Sequence, residues 1–160
     1  MDVSTFYALF SATCFTLVGL WWGVTTRETS WVTDPPRRRA IGGVYLAFLL
    51  PALMGLFAQV GGVTEPEVWR ISFIVIAVAG GVATARLLAT DTDPALMTIR
   101  AGAVAIYVVI ALVGVFPGLA EPIGLRPIQV EALLLVMLVA LGHALVWHWL
   151  VHETIGPGVT

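Results

Sequence analysis

The amino-acid sequence predicts an all-α integral membrane protein with five transmembrane helices, and its composition and polarity pattern support this. Of the 160 residues, 59% are apolar and 11% are charged, and the mean hydropathy is +0.95. A water-soluble domain of this size could not cover so much apolar surface. Five apolar runs approach the ~20 residues that cross a bilayer. None of them alternates in polarity as a barrel strand does, so we expect helices, which satisfy their own backbone groups in lipid.

These runs leave little chain between them, so we expect one transmembrane domain over residues 1–160. The helices are predicted at about 6–24, 40–60, 69–88, 101–119 and 128–151. The segment before the first run carries no positive charge and is unlike a secretory signal peptide. The first helix should therefore be retained as a span.

Helix 1 is the span richest in small polar side chains. At roughly 100° per residue, Ser4, Tyr7, Ser11 and Cys14 fall within about a quarter of the helix circumference. Such a face could line a wet path, which makes Ser11 and Cys14 pore candidates. The alternative is that the hydroxyls bond backbone carbonyls or hold helices together.

An arginine cluster at the start of helix 2 sets the predicted orientation. Asp34 and Pro35 suit an N-cap and a first-turn position, and Arg37, Arg38 and Arg39 would lie among the lipid headgroups. If this side is cytoplasmic, six of the eight arginines lie on or near it, as the positive-inside rule requires. The N-terminus is then outside and the C-terminus cytoplasmic.

Pro51 lies about 18 Å of helical rise beyond the cluster, near the bilayer centre. A proline there leaves the carbonyl of Ala47 without its usual donor, so we expect a kink in helix 2. Kinks can shape cavities and hinges as well as packing. Pro51 is therefore a further pore candidate.

Helices 3 and 4 resemble a second copy of helices 1 and 2. An ungapped alignment of residues 25–57 with 84–116 has ten identities, among them the Asp-Pro pairs at 34–35 and 93–94. This predicts two tandem parallel helical hairpins, an arrangement that some transporters use. Similar solutions to the same capping problem are the alternative. Thr64 and Glu67 have capping-box spacing at the start of helix 3, and small residues allow that helix to pack closely: Ala77, Gly80, Gly81 and Thr84.

Helix 5 carries the densest ionisable chemistry. His143 lies about 22 Å of rise into the helix, a depth at which an ionisable group indicates function. It is predicted to be a gate or a proton-sensitive element, and a neutral imidazole bonded to a neighbouring carbonyl is the alternative. Glu131 lies one turn in, where it would stabilise the helix N-terminus or form a ring of carboxylates at a pore mouth.

His148 and His152 are four residues apart on one helix face, a spacing that can hold a divalent metal, although two ligands are a weak signal. The single cysteine excludes an intrachain disulfide, and no cofactor is predicted. The net charge of −2 argues against a nucleic-acid partner. No P-loop, His-Glu-x-x-His or dinucleotide fingerprint is present, so we do not predict an enzyme.

These observations predict a homo-oligomeric ion channel or small transporter whose partners are the lipid bilayer, further copies of the chain and small ions. Its path would run beside helix 1 and helix 5, and replacing His143 with Ala should alter the pH dependence of flux. One alternative is a non-catalytic accessory or assembly subunit of a larger membrane complex. Another is a b-type haem or quinone redox protein, with haem shared by two copies of His143. Arginine without lysine suits a GC-rich bacterium, and hence a bacterial inner membrane.

Overall fold

A computed structural model describes residues 2–27, 34–61 and 66–154, with the backbone alone at Pro36 and at 152–154. Within these ranges the chain forms five long α-helices and no strand. Each helix is long and apolar enough to cross a membrane. The predicted all-α membrane class and the five spans are therefore confirmed. The helices are α1 (Val3–Thr25), α2 (Pro35–Gly61), α3 (Pro66–Leu88), α4 (Pro94–Val115) and α5 (Pro127–Thr154), with a 3-10 helix (Pro117–Ile123) between the last two.

The helix ends follow local backbone chemistry. α4 begins at Pro94, earlier than the predicted span, because the Asp93 side chain accepts a hydrogen bond from the Ala95 amide. It ends at Val115 rather than near residue 119, because Pro117 and Gly118 follow and a 3-10 helix takes over. α2 likewise begins at Pro35, directly after Asp34. The predicted cap at Thr64 lies outside the described residues.

The helices form a bundle in which α2 and α5 are the most central. Each helix packs against the next one along the chain, and α5 returns to pack against α2 and to touch α1. We call the end that holds Arg37, the α3–α4 loop and the last turns of α5 the arginine end. The opposite end holds the first turns of α1, α3 and α5 and the 3-10 helix, which packs on α4 and α5.

Two buried clusters fill the bundle. The one nearer the opposite end contains Tyr7, Met54, Phe73, Ile110 and Leu135. The one nearer the arginine end is built on Trp21 and Phe48 with Ile41 and Val44. Large apolar side chains also cover the outer surface, as a lipid environment requires: Leu9, Leu20, Val60, Ile71, Leu133 and Trp147.

Glycines let the helices of each hairpin approach closely. A Cβ atom at Gly55 would overlap the Ser11 hydroxyl of α1, and one at Gly114 would lie 2.8 Å from Ile74 Cγ1 of α3. These two glycines are paired in the predicted repeat, so α1–α2 and α3–α4 use an equivalent position for close packing. That equivalence supports the tandem-hairpin interpretation.

Replacing Gly80 with Ala should destabilise the protein by about 1–3 kcal/mol, because it overpacks the core. The new Cβ would lie 2.7 Å from Tyr107 Cζ and 2.8 Å from Leu50 Cδ1. Gly19→Ala is the matched control, since nothing lies within 4 Å of a Cβ there. Thermal unfolding in detergent micelles measures both variants. Equal midpoints for the two would contradict close packing at Gly80.

Candidate functional site

Glu131 is enclosed in the interior of the bundle. Its side chain is 0% exposed, about 6 Å of helical rise from Pro127. It shares the inward face of α5 with Leu135 and Leu138, both of which are buried. Neither carboxyl oxygen has a hydrogen-bond partner among the described residues. Few buried polar groups in native proteins lack a partner, so this one requires an explanation.

The burial of Glu131 does not fit the predicted ring at a pore mouth. A ring at the mouth of a pore between copies needs an exposed side chain, whereas this one is enclosed by its own protomer. Neither oxygen bonds an amide of the first turn of α5, so any stabilisation of the helix N-terminus by Glu131 would be purely electrostatic, and that role stays a prediction. The first turn of α5 is instead capped by Gln129, whose Oε1 accepts from the Arg126 amide.

The polar face of α1 points inward, as its spacing predicts. Tyr7, Ser11 and Cys14 are all buried. The Tyr7 hydroxyl donates to the Ile128 carbonyl of α5 at 2.7 Å, and the Ser11 hydroxyl donates to the Ala52 carbonyl of α2 at 3.1 Å. These hydroxyls therefore hold helices together through backbone carbonyls, as the alternative to a wet path predicted.

Pro51 is fully buried inside α2, and the helix continues through it. Its neighbour Ala52 supplies the carbonyl that Ser11 bonds. Ala47, whose carbonyl loses its donor to Pro51, lines an interior cavity, while Pro51 itself does not. Pro51 therefore has no direct contact with the cavity.

His143 lies on the outer surface of the bundle. Its side chain is exposed, its Nδ1 donates to the Val139 carbonyl at 2.8 Å, and its ring meets Phe48 edge to face with 5.1 Å between the centroids. Within one protomer it therefore lies apart from the buried Glu131, Ser11, Cys14 and Pro51. A gating role for His143 would need a second copy against this surface.

A small cavity lies among α2, α3, α4 and α5. It holds about 30 Å³, with Arg100 and Tyr107 among its lining residues, which is room for about one water molecule. Arg100 is buried, with a side chain 8% exposed, and its guanidinium binds the Asp91 carboxylate through a charge-assisted pair. The remaining lining is mostly small or aliphatic, including Gly43, Ala47, Ala83, Ala103 and Leu138.

A wider depression of about 280 Å³ opens at the arginine end of the bundle. It shares Leu87 and Arg100 with the interior cavity, and Asp91 and Trp149 also line it. The Arg100–Asp91 pair therefore stands between the cavity and the membrane surface.

A second polar pair joins the start of α4 to the end of α5. Asp93 Oδ2 lies 2.9 Å from His148 Nε2, and Asp93 Oδ1 accepts from the Ala95 amide at 2.8 Å. The hydrogen bond from the Ala95 amide is the main cause that holds the pKa of Asp93 below its usual range, and His148 contributes less.

The predicted metal pair of His148 and His152 stays a prediction, because the His152 side chain lies outside the described residues. In the described part of the chain, no three metal-ligating side chains lie close together.

Sequence reasoning missed Arg100, Asp91 and Tyr107 as site residues. The signal for Arg100 was its position about two turns inside α4, deeper than an arginine that merely reaches the headgroups. The signal for Tyr107 was a polar hydroxyl group in an apolar span, about two helical turns beyond Arg100.

No family model, curated protein or solved structure matches this chain.

Proposed function

We propose that this protein carries protons or small cations across a membrane, with Glu131 as the group that binds them. One observation carries the proposal, namely the fully buried carboxyl group without a hydrogen-bond partner among the described residues. An ionised carboxylate in apolar surroundings is very costly, so the group has to hold a proton or a cation while it is enclosed. Ionisable side chains inside membrane bundles commonly mark such pathways.

The route that the geometry favours starts at the arginine end. It passes the depression, the Arg100–Asp91 pair and the interior cavity, which reaches Leu138 on α5. Leu138 is seven residues from Glu131, or about 10 Å of helical rise. Leu135 and Ile110 are fully buried in the core between α4 and α5. This conformation is therefore closed, and transport would require the apolar layer to open.

The proposal includes an orientation and an assembly. In the proposed orientation the arginine end lies in the cytoplasm of a bacterial cell and the N-terminus lies outside, which the distribution of basic residues supports through the positive-inside rule. A homo-oligomer is favoured by His143, since a second copy could shield its imidazole from lipid and bond its Nε2. In this arrangement each protomer would hold its own path, and His143 would act at the contact between copies.

Glu131→Gln should lower proton or cation flux at least about tenfold, because an amide cannot exchange a proton or balance a cation. Flux is measured from proteoliposomes that contain the purified protein and an enclosed pH-sensitive dye, under imposed proton, sodium and potassium gradients. Glu121→Gln is the matched control, because Glu121 is an exposed carboxylate in the 3-10 helix. His143→Ala is measured in parallel, with a change in the pH dependence expected rather than a loss.

Unchanged flux in Glu131→Gln would exclude the proposed role of that carboxyl group. Absence of flux in the parent protein under every gradient would favour the accessory-subunit alternative, and a partner should then co-purify under mild extraction. A Soret band in the purified protein would favour the haem alternative.

A further inference from the structure

A surface groove runs between α2 and α3 at the arginine end. It has a volume of about 480 Å³. Its lining combines two arginines and Thr90 with small and aliphatic residues: Arg39, Arg86, Gly42, Gly43, Leu46, Ala83 and Leu87. The glycines of α2 leave the floor of the groove open.

The two arginines of this groove have no counter-charge in the described part of the chain. Both side chains are exposed. The acidic side chains that the structure describes at this end are engaged elsewhere: Asp34 lies 3.6 Å from Arg37, Asp91 binds Arg100, and Asp93 binds His148. Arg39 and Arg86 therefore present positive charge to whatever enters the groove.

The groove has the dimensions of a lipid-chain site. From Arg39 to Leu46 the helical rise is about 10 Å, and one leaflet of hydrocarbon is about 15 Å thick. The two arginines lie toward the arginine end of the groove, and in a bilayer they would lie at the headgroup level above the small residues of the floor. Because both arginines can bond phosphate oxygens, the rim suits an anionic headgroup.

We propose that this groove binds one anionic phospholipid, with its phosphate between Arg39 and Arg86 and one acyl chain over Gly42 and Gly43. This inference is independent of the proposed ion pathway, since Glu131 does not line the groove. Juxtamembrane arginines attract anionic lipid, and here the pair is combined with a groove for the chain.

The test uses native mass spectrometry of the purified protein after exchange into equal amounts of phosphatidylglycerol and phosphatidylcholine. We expect retention of phosphatidylglycerol to exceed that of phosphatidylcholine on the order of tenfold, as two arginine contacts would give. The Arg39→Gln, Arg86→Gln double variant should lose this preference, and the corresponding double lysine variant should keep most of it. Equal retention of both lipids by the parent protein would overturn the proposal.

Two further variants separate the groove from simple surface charge. Gly42→Leu keeps both arginines and should still lower retention of the lipid, because nothing lies within 4 Å of a Cβ at Gly42 and the new side chain would occupy the floor. Arg126→Gln removes an exposed arginine at the opposite end, and should leave retention unchanged. Millimolar glycerol phosphate should not displace the lipid. Full retention in Gly42→Leu, or displacement by glycerol phosphate, would overturn the acyl-chain site, and loss of retention in Arg126→Gln would overturn its location.

Discussion

Replacing Asp91 with Ala is expected to lower the free energy of unfolding by about 3–5 kcal/mol, because it leaves the Arg100 guanidinium buried without its counter-charge. The two side chains are 8% and 12% exposed, so water can replace little of the lost interaction. Thermal unfolding and titration with a denaturing detergent both measure the change. Asp2→Asn is the matched control, since that residue is exposed and makes no side-chain capping bond.

The double variant Asp91→Leu, Arg100→Met tests the cause of this loss. Buried ion pairs can often be replaced by apolar side chains at no net cost, because the desolvation penalty disappears together with the attraction. We therefore expect the double variant to be close to the parent protein and much more stable than Asp91→Ala. If the free energy of unfolding of Asp91→Ala were within about 0.5 kcal/mol of the parent value, Arg100 would have to reach water or another partner.

Replacing Glu131 with Leu should raise the free energy of unfolding by about 1–3 kcal/mol, which is the penalty of an unsatisfied buried polar group. The side chain lies on the inward face of α5 beside Leu135, within an apolar core. Glu131→Gln should change stability less, because the amide is polar and equally buried. The unfolding titration in detergent compares both variants with the parent.

The stability of the Glu131→Leu variant should be compared with its flux, because the two together show whether the carboxyl group is kept for function. A more stable Glu131→Leu variant without flux would indicate that the carboxyl group is kept at a cost to stability, as groups needed for function often are. A destabilised Glu131→Leu variant would contradict an unpartnered carboxyl and point to a bound water or cation that bonds it in the membrane.

The sequence by itself determined the membrane class and the five helices, while the predicted ends of α4 were wrong at both termini. Hydropathy and run length are local properties, and a span of about 20 apolar residues leaves few alternatives in a bilayer. The Asp93 cap and the stop before Pro117 also involve only neighbouring residues, but the predicted span followed the apolar run and so missed both.

Apart from the polar face of α1, the tertiary structure alone decided which face of each helix points inward. In a soluble helix the apolar face identifies the core, but these spans are apolar on both the lipid side and the core side, so the periodicity of the sequence carries little information. Glu131 and His143 lie on the same helix, roughly 120° apart, and one is buried while the other is exposed. The sequence predicted a shared path for both and could not separate them.

The pairing of charges at the arginine end depends on tertiary structure in the same way. Arg100 and Asp91 are close only because the loop between α3 and α4 returns over the first turns of α4, and Asp93 meets His148 only because α5 packs against α4. Residue types and their spacing within one helix indicate which groups are costly to bury. The sequence does not indicate which charged groups pair with each other, because the two partners of each pair lie on different elements.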